Sequence, residues 1–384
     1  MEFNDLAGDL TVEMSSLQSF VKAWYQPDDV VVVAGIKPSQ SRKGVLNVAI
    51  PVKDFMSWTE DDIRGMSQMK NGDVIGTYVT LFPIKDPSKV ELGKRGQEEN
   101  VRDMYGVFID FDIKPGAFES REELIAFLTE GDVPKPTILV QNGETGGLHG
   151  YWRLHWHESG YKGLLEMWHA FISSKTEVKI DRLIDTTRLS RLPSSIYWPK
   201  EGSNGKSGVV SVLWADGPTY SVEDIESLSK DIWSQRKERI QRLWNEDSQR
   251  KLDASQLAEE LGVASDLSGW SLYAAIATVE ENFNQLYTWD DILCPLGWTY
   301  LKDDGQGRRE FARPGRYEKS ATVDWPESPD MMSLLSESYE TGLSDLKEAG
   351  IALTKYRVAL RLLWNDDPNK MTVDIVNQMN VQSP

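Results

Sequence analysis

The sequence predicts an α+β protein of two or three folding units. From residue 13 to about 218, strand-length apolar runs alternate with helix-patterned segments, and a hairpin signal lies in the middle of that stretch. Beyond it the composition turns to charged helix, and then to a last, smaller unit. At 384 residues the chain exceeds one usual domain. The expected division is a main unit over 1–218, a helical linker over 219–262 and a C-terminal unit over 263–384.

In order along the chain, EMSSLQSFVKAWY (13 to 25) has the apolar spacing of a helix, and DDVVVVAGI (28 to 36) reads as a buried strand. YVTLFPI is a second strand, and the charged stretch 85 to 100 is a loop. YGVFIDFDI (105 to 113) is a third strand, ended by Lys114, Pro115 and Gly116; SREELIAFLTEG is a capped helix that stops at Gly131. PTILVQNGETGGLHGYWRLHW gives two strands around the turn NGETGG. The helix YKGLLEMWHAFISS follows, then a basic stretch. Residues 221 to 260 are helical by pattern, with Trp233, Ile240 and Trp244 as a narrow apolar stripe. The last unit holds a hairpin at DDGQG and an amphipathic helix, LKEAGIALTKYRVALRLLW.

Composition removes several classes of function. Cys294 is the only cysteine, which excludes intrachain disulfides, cysteine-clustered zinc sites and cysteine-ligated iron–sulfur clusters. A net charge of −18 argues against a general polyanion binder. No run approaches the roughly 18 apolar residues of a spanning helix and nothing resembles a signal peptide, so a soluble, cytoplasmic protein without membrane contact is expected.

The third strand poses a question: GVFIDFDIKPG carries two aspartates in an apolar run. By strand alternation Tyr105, Val107, Ile109, Phe111 and Ile113 share one face, while Phe108, Asp110 and Asp112 share the other. The two aspartates then have Cα atoms about 7 Å apart. Carboxylates so placed repel, and something positive belongs between them. Oxygen ligands suit Mg²⁺ or Mn²⁺, and a pair of such ions can hold the attacking and leaving oxygens of a phosphoryl transfer. The competing reading is a solvated strand face.

Two further stretches add context. On the second hairpin strand His149, Tyr151 and Arg153 share a face, behind a loop with Gly143, Gly146 and Gly147 that could approach a phosphate. His155 and His157 share the parity of His149 but lie too far along the strand to join it, about 20 Å for His155. In IDRLIDTTRLSRLPSSIYWPK, a helix over 185 to 192 would put Arg188 and Arg191 on one face. From 175 to 206 there are seven basic residues against four acidic ones, a basic patch in an acidic chain.

Taken in order, FIDFDIKPG, GGLHGYW and IDRLIDTTRLSRLPSSIYWPK resemble the three motifs of the archaeo-eukaryotic primase superfamily, in the manner of the primase-polymerase domains of phage and plasmid replication proteins. The resemblance covers about 70 to 205; WDDILCPLGWTYL through RPGRYEKSAT is similar to a segment found downstream of such domains. It implies an α+β primase fold with a mostly antiparallel, RRM-like catalytic sheet. It also implies that Asp110 and Asp112 bind two catalytic metal ions, Mg²⁺ or Mn²⁺, with Asp181 as third carboxylate. His149, Arg191 and Lys200, with Arg188 as a further member, would contact the phosphates of an incoming NTP or dNTP. The chain departs from the family at Ser194, where glycine is usual after Pro193, and at Trp198, where a residue like asparagine is usual.

The implied activity is template-dependent nucleotidyl transfer, with single-stranded DNA and nucleoside triphosphates as partners. NGKS at 204 to 207 lacks the glycine that a P-loop needs, so a replicative helicase is expected as a separate protein. A metal-dependent glycosyltransferase also uses Asp-x-Asp but has no need of the other two motifs. A replication initiator that keeps the fold and only binds DNA is the non-enzymatic alternative.

Overall fold

The computed structural model describes residues 12–38, 44–68, 74–91, 97–114, 117–144, 146–178, 180–181, 184–199, 206–260, 280–335 and 342–382. The chain divides into two compact units, residues 1–234 and 235–384.

In chain order the first unit contains α1 (Met14–Trp24), β1 (Val30–Ile36), β2 (Gly44–Pro51), α2 (Glu60–Met66), β3 (Gly76–Thr80), β4 (Gly106–Phe111), α3 (Arg121–Glu130), β5 (Ile138–Asn142), β6 (Leu148–Arg153), α4 (Lys162–Ser174), β7 (Leu189–Arg191), β8 (Ile196–Tyr197) and β9 (Gly208–Trp214). A helix of 39 residues, α5 (Val222–Glu260), runs through the division between Ser234 and Gln235. It accounts for most of the stretch that the sequence set apart as a linker, and residues 261–279 lie outside the described ones.

The strands of the first unit form two sheets, ordered β2-β1-β3-β7 and β4-β6-β5-β9-β8, and every strand pair in both is antiparallel. The fold is α+β, as the sequence predicts. β4 is buried on both faces: Val107, Phe108, Ile109 and Phe111 are all within the core, which leaves Asp110 as its only partly open residue. α4 covers β4 with Leu164, Leu165, Trp168, Phe171 and Ile172, and Trp168 meets Trp152 of β6 edge-on at 5.2 Å.

α1 touches both sheets. Its buried side chains Leu17, Phe20, Val21 and Trp24 recur at helical spacing. Trp24 packs edge-on against Tyr151 of β6 at 5.3 Å and donates its indole N–H to the Leu81 carbonyl, just past β3, at 2.6 Å. A buried tryptophan whose N–H is satisfied contributes apolar area at no polar cost. A second tie is Asp29, fully buried at the head of β1, which accepts from Arg102 and from the Tyr105 hydroxyl ahead of β4.

The second unit contains α6 (Trp289–Leu293), β10 (Thr299–Asp303), β11 (Arg309–Ala312), β12 (Ala321–Val323), β13 (Ser333–Leu334), α7 (Ser344–Glu348), α8 (Lys355–Leu363) and α9 (Pro368–Gln382). Its sheet is an antiparallel β10-β11-β12-β13 ribbon, and the hairpin expected at DDGQG joins β10 to β11. Phe283, Trp289, Phe311, Val358 and Met371 belong to its core. Arg357 of α8 grips the Asp247 carboxylate with two bonds of 2.7 and 2.8 Å. Among the described residues no helix is long and apolar enough to cross a membrane.

Four elements differ from the sequence expectation. β2 was not predicted: its residues are largely half-exposed and it lies at a sheet edge, so its alternation is weak. α2 was not predicted either, since only Ile63 is buried and a capping box between Thr59 and Asp62 supplies the signal instead. The stretch 185 to 192 is not helical; a turn at Thr186 and Thr187 leads into β7. The single helix expected over 346–364 is two, because Gly350 takes φ +70° after α7 and Thr354 then caps α8.

Both positions at which the sequence departs from the motifs it resembles have structural reasons. Trp198 is buried and donates to the Ile75 carbonyl at 3.0 Å. Ser194 adopts φ +68°, the left-handed conformation that favours glycine. Its fully buried hydroxyl accepts from the Leu17 N–H at 3.0 Å and donates to the Glu13 carbonyl, so it holds the first turn of α1. Ser194→Ala keeps the strained backbone and loses both bonds, and should cost about 1–3 kcal/mol in urea denaturation. Ser194→Gly should cost less, because it relieves about 1–2 kcal/mol of left-handed strain. An alanine variant as stable as wild type would refute this account.

Candidate active site

The site begins at the β4–β6 register, which sets Asp110 directly opposite His149 and Phe108 opposite Tyr151. His149 Nε2 lies 3.2 Å from Asp110 Oδ1. The other ring nitrogen, Nδ1, is 3.1 Å from Ser190 Oγ, and Ser190 in turn bonds the Tyr151 hydroxyl. Asn142 of β5 presents its amide group 2.7 Å from the same Nε2. Tyr151, Ser190 and His149 thus form one row of hydrogen bonds that ends at Asp110. Phe108 meets the imidazole edge-on at 5.3 Å.

Burial works against charge on Asp110. The His149 ring beside it, and Arg188 and Arg191 further off, more than offset that penalty and hold the carboxyl below its ordinary range. Asp110 is therefore a carboxylate at neutral pH. His149 was expected to face a phosphate; here the ring is buried and both of its nitrogens face protein groups.

Asp112, two residues on, is more open, with 42% of its side chain exposed, and it pairs with the Lys114 ammonium. Burial opposes the charge of Lys114. The bond to Asp112 and the negative charges of Asp112, Asp181 and Asp110 outweigh it, so the lysine titrates above its ordinary range. One ammonium thus feels all three acidic residues that the sequence singled out. Asp181 itself is exposed. Among the described residues no three His, Cys, Asp or Glu side chains stand close enough together to hold a metal ion. Asp185 accepts from the N–H and hydroxyl of Thr187 at 2.9 and 2.6 Å and so closes its own turn.

The arginines come from the other sheet. Arg188 precedes β7 and Arg191 ends it, and the charges of both reach Asp110 from there. They do so without the shared helical face that their spacing suggested. Lys200 lies outside the described residues.

The glycine loop has a different role from the one its composition suggested. A Cβ at Gly147 would fall 2.0 Å from the Phe111 carbonyl oxygen, and Gly143, at φ +60°, lies flat against Tyr197, 2.9 Å from where its Cβ would be. Close packing between loop and strand thus accounts for these glycines.

Sequence reasoning missed Ser190, Asn142, Lys114, Tyr78 and Tyr197 at this site. Lys114 was adjacent to the aspartates and could have been suspected from charge alone. Ser190 and Asn142 act across 41 and seven residues through bonds to His149, which strand parity does not reveal.

No protein-family model matches this chain, and no curated protein does. Among solved structures it is similar to the AEP domain of the cyanophage S-2L primase-polymerase, at 14% identity over 56% of this chain and 98% of that one, with a TM-score of 0.39. It is similar to the catalytic domain of primase RepB′ in complex with initiator DNA, at 14% identity over 60% and 98%, TM-score 0.39. It is similar also to primase RepB′ at 12% identity over 97% and 99%, TM-score 0.41.

Ser190 joins β7 to the His149 ring, so its energetic coupling to His149 is measurable. A double-mutant cycle of Ser190→Ala with His149→Ala in urea denaturation should give about 0.5–3 kcal/mol of coupling. Strict additivity would mean that the two side chains do not cooperate.

Proposed function

We propose that this chain is a template-dependent nucleotidyltransferase of the archaeo-eukaryotic primase type, which extends or initiates a strand on single-stranded DNA from nucleoside triphosphates. The observation that supports it best is the charge arrangement around Lys114: the neighbouring Asp110 and Asp112 and the sequence-distant Asp181 all act on one cation, beside a sheet that supplies two arginines. The order of the three sequence motifs supports the same reading.

The chemistry of the donor set, though not its present spacing, suits a pair of hard divalent ions. The donor set is oxygen-only, Asp110 is held ionised, Asp112 and Asp181 are accessible, and a positive charge is already accommodated among them. Asp110, Asp112 and Asp181 would hold Mg²⁺ or Mn²⁺. When bound, the ions would supply Lewis-acid stabilisation of the attacking and leaving oxygens.

The chain's own groups do the rest. His149 orients Asp110, and Ser190 orients His149. Arg188 and Arg191 offset negative charge on the triphosphate, most of all as it builds on the departing pyrophosphate. The 3′ hydroxyl oxygen forms a bond to the α-phosphorus, the bond to the β-phosphate bridge breaks, and the hydroxyl proton leaves to water. A separate helicase and a place in phage or plasmid replication complete the reading.

Template, primer, labelled nucleotides and Mn²⁺ should yield extended product with the wild-type protein and none with Asp110→Ala or Asp112→Ala, at unchanged circular dichroism. Free Mn²⁺, followed by electron paramagnetic resonance, should fall with the wild type and not with Asp110→Ala. Equal synthesis by the aspartate variants would end the metal assignment. Product formation would also separate this reading from a DNA-binding initiator, which would bind the template and extend nothing.

A further inference from the structure

We infer that Tyr78 and Tyr197 are positioning residues that clamp the Arg191 guanidinium between their rings and aim its free edge at a phosphate group of the bound nucleotide. The inference rests on the nucleotidyltransferase reading above and names a part of the phosphate-recognition machinery that this reading leaves unassigned.

The guanidinium carbon lies 4.9 Å from the centre of the Tyr78 ring and 4.6 Å from that of Tyr197. The rings arrive from different sheets. Tyr78, on β3, is the register partner of Arg191 on β7, whereas Tyr197 lies on β8 at the edge of the five-stranded sheet. A guanidinium stacked on aromatic faces keeps its N–H donors in the plane of the stack, and that planar fork matches a phosphate. Ordering it in advance removes rotamer freedom that the ligand would otherwise have to remove on binding.

The backbone makes room for both rings. A Cβ at Gly76 would stand 3.1 Å from Tyr78 Cε2 and 3.5 Å from Arg191 Nη1, and the loop at Gly143 already lies against Tyr197. Electrostatics put the clamp and the carboxylates in one region. Burial raises the Tyr197 hydroxyl, Arg191 opposes that, and the charges of Asp112 and Asp110 add to it. The same arginine helps keep Asp110 ionised. The guanidinium is therefore within electrostatic reach of the carboxylates that the proposed function assigns to metal ions.

The test separates ring face from hydroxyl. Tyr78→Phe and Tyr197→Phe should leave the nucleotide KM within about twofold of wild type. Tyr78→Leu and Tyr197→Leu should each raise it about threefold to thirtyfold, the span of a cation–π contact, with kcat within about threefold. Single-stranded DNA affinity, read by fluorescence anisotropy, should not move. Calorimetric titration with a non-hydrolysable nucleoside triphosphate should show the same loss in affinity. Because the rings belong to different sheets, one folded leucine variant suffices. Leucine variants with wild-type KM overturn the clamp, as do phenylalanine variants that lose as much as the leucine ones, or a loss confined to kcat. A wild-type protein that neither extends a primer nor binds triphosphate removes the premise, and the clamp with it; that outcome is distinct from an active enzyme indifferent to the rings.

Discussion

The register of β4 against β6 is the constraint from which the site follows. A slip of one residue would send Asp110 into the core and Phe108 with it to the opposite face, because strand side chains alternate. The core forbids that slip: Val107, Ile109 and Phe111 are buried on one side, while Phe108 packs with Tyr151 on the other. Packing thus fixes where the carboxylate stands, and the carboxylate tolerates its burial because His149 is fixed opposite by the same register. Fold and chemistry share one determinant here.

The two sheets divide the chemistry. Acidic groups and the imidazole come from the five-stranded sheet and its flank, and arginines come from the four-stranded one. Opposite charges held on separate scaffolds need a tie, and a buried hydroxyl, that of Ser190, supplies it at the point where they meet. Trp24 provides the apolar counterpart a short distance away, in contact with β6 and with the end of β3. Neutral ties of this kind avoid the desolvation cost that a buried ion pair would carry.

The sequence made the carboxylates legible because strand parity is a local rule: it separated Asp110 and Asp112 from their apolar neighbours. The hairpin around Asn142 and His149 was readable for the same reason. What escaped was set by partners distant along the chain. The spacing of Arg188 and Arg191 allows helix or strand alike, and pairing with β3 makes that segment β7. The glycine loop suggested an anion site because composition cannot say what a missing Cβ would strike; the Phe111 carbonyl answers that. Ser194 stands in a left-handed turn that favours glycine, and its hydroxyl compensates for the backbone strain through helix α1, a contact invisible from position 194 alone.

Lys114 has a consequence for how such a protein comes into being. Its ammonium is covalently part of the polypeptide, so the counter-charge for the acidic cluster is synthesised along with it. A chain of this design can reach its folded state without a divalent cation to balance that charge. That separates it from small metalloproteins whose apo forms are unstructured.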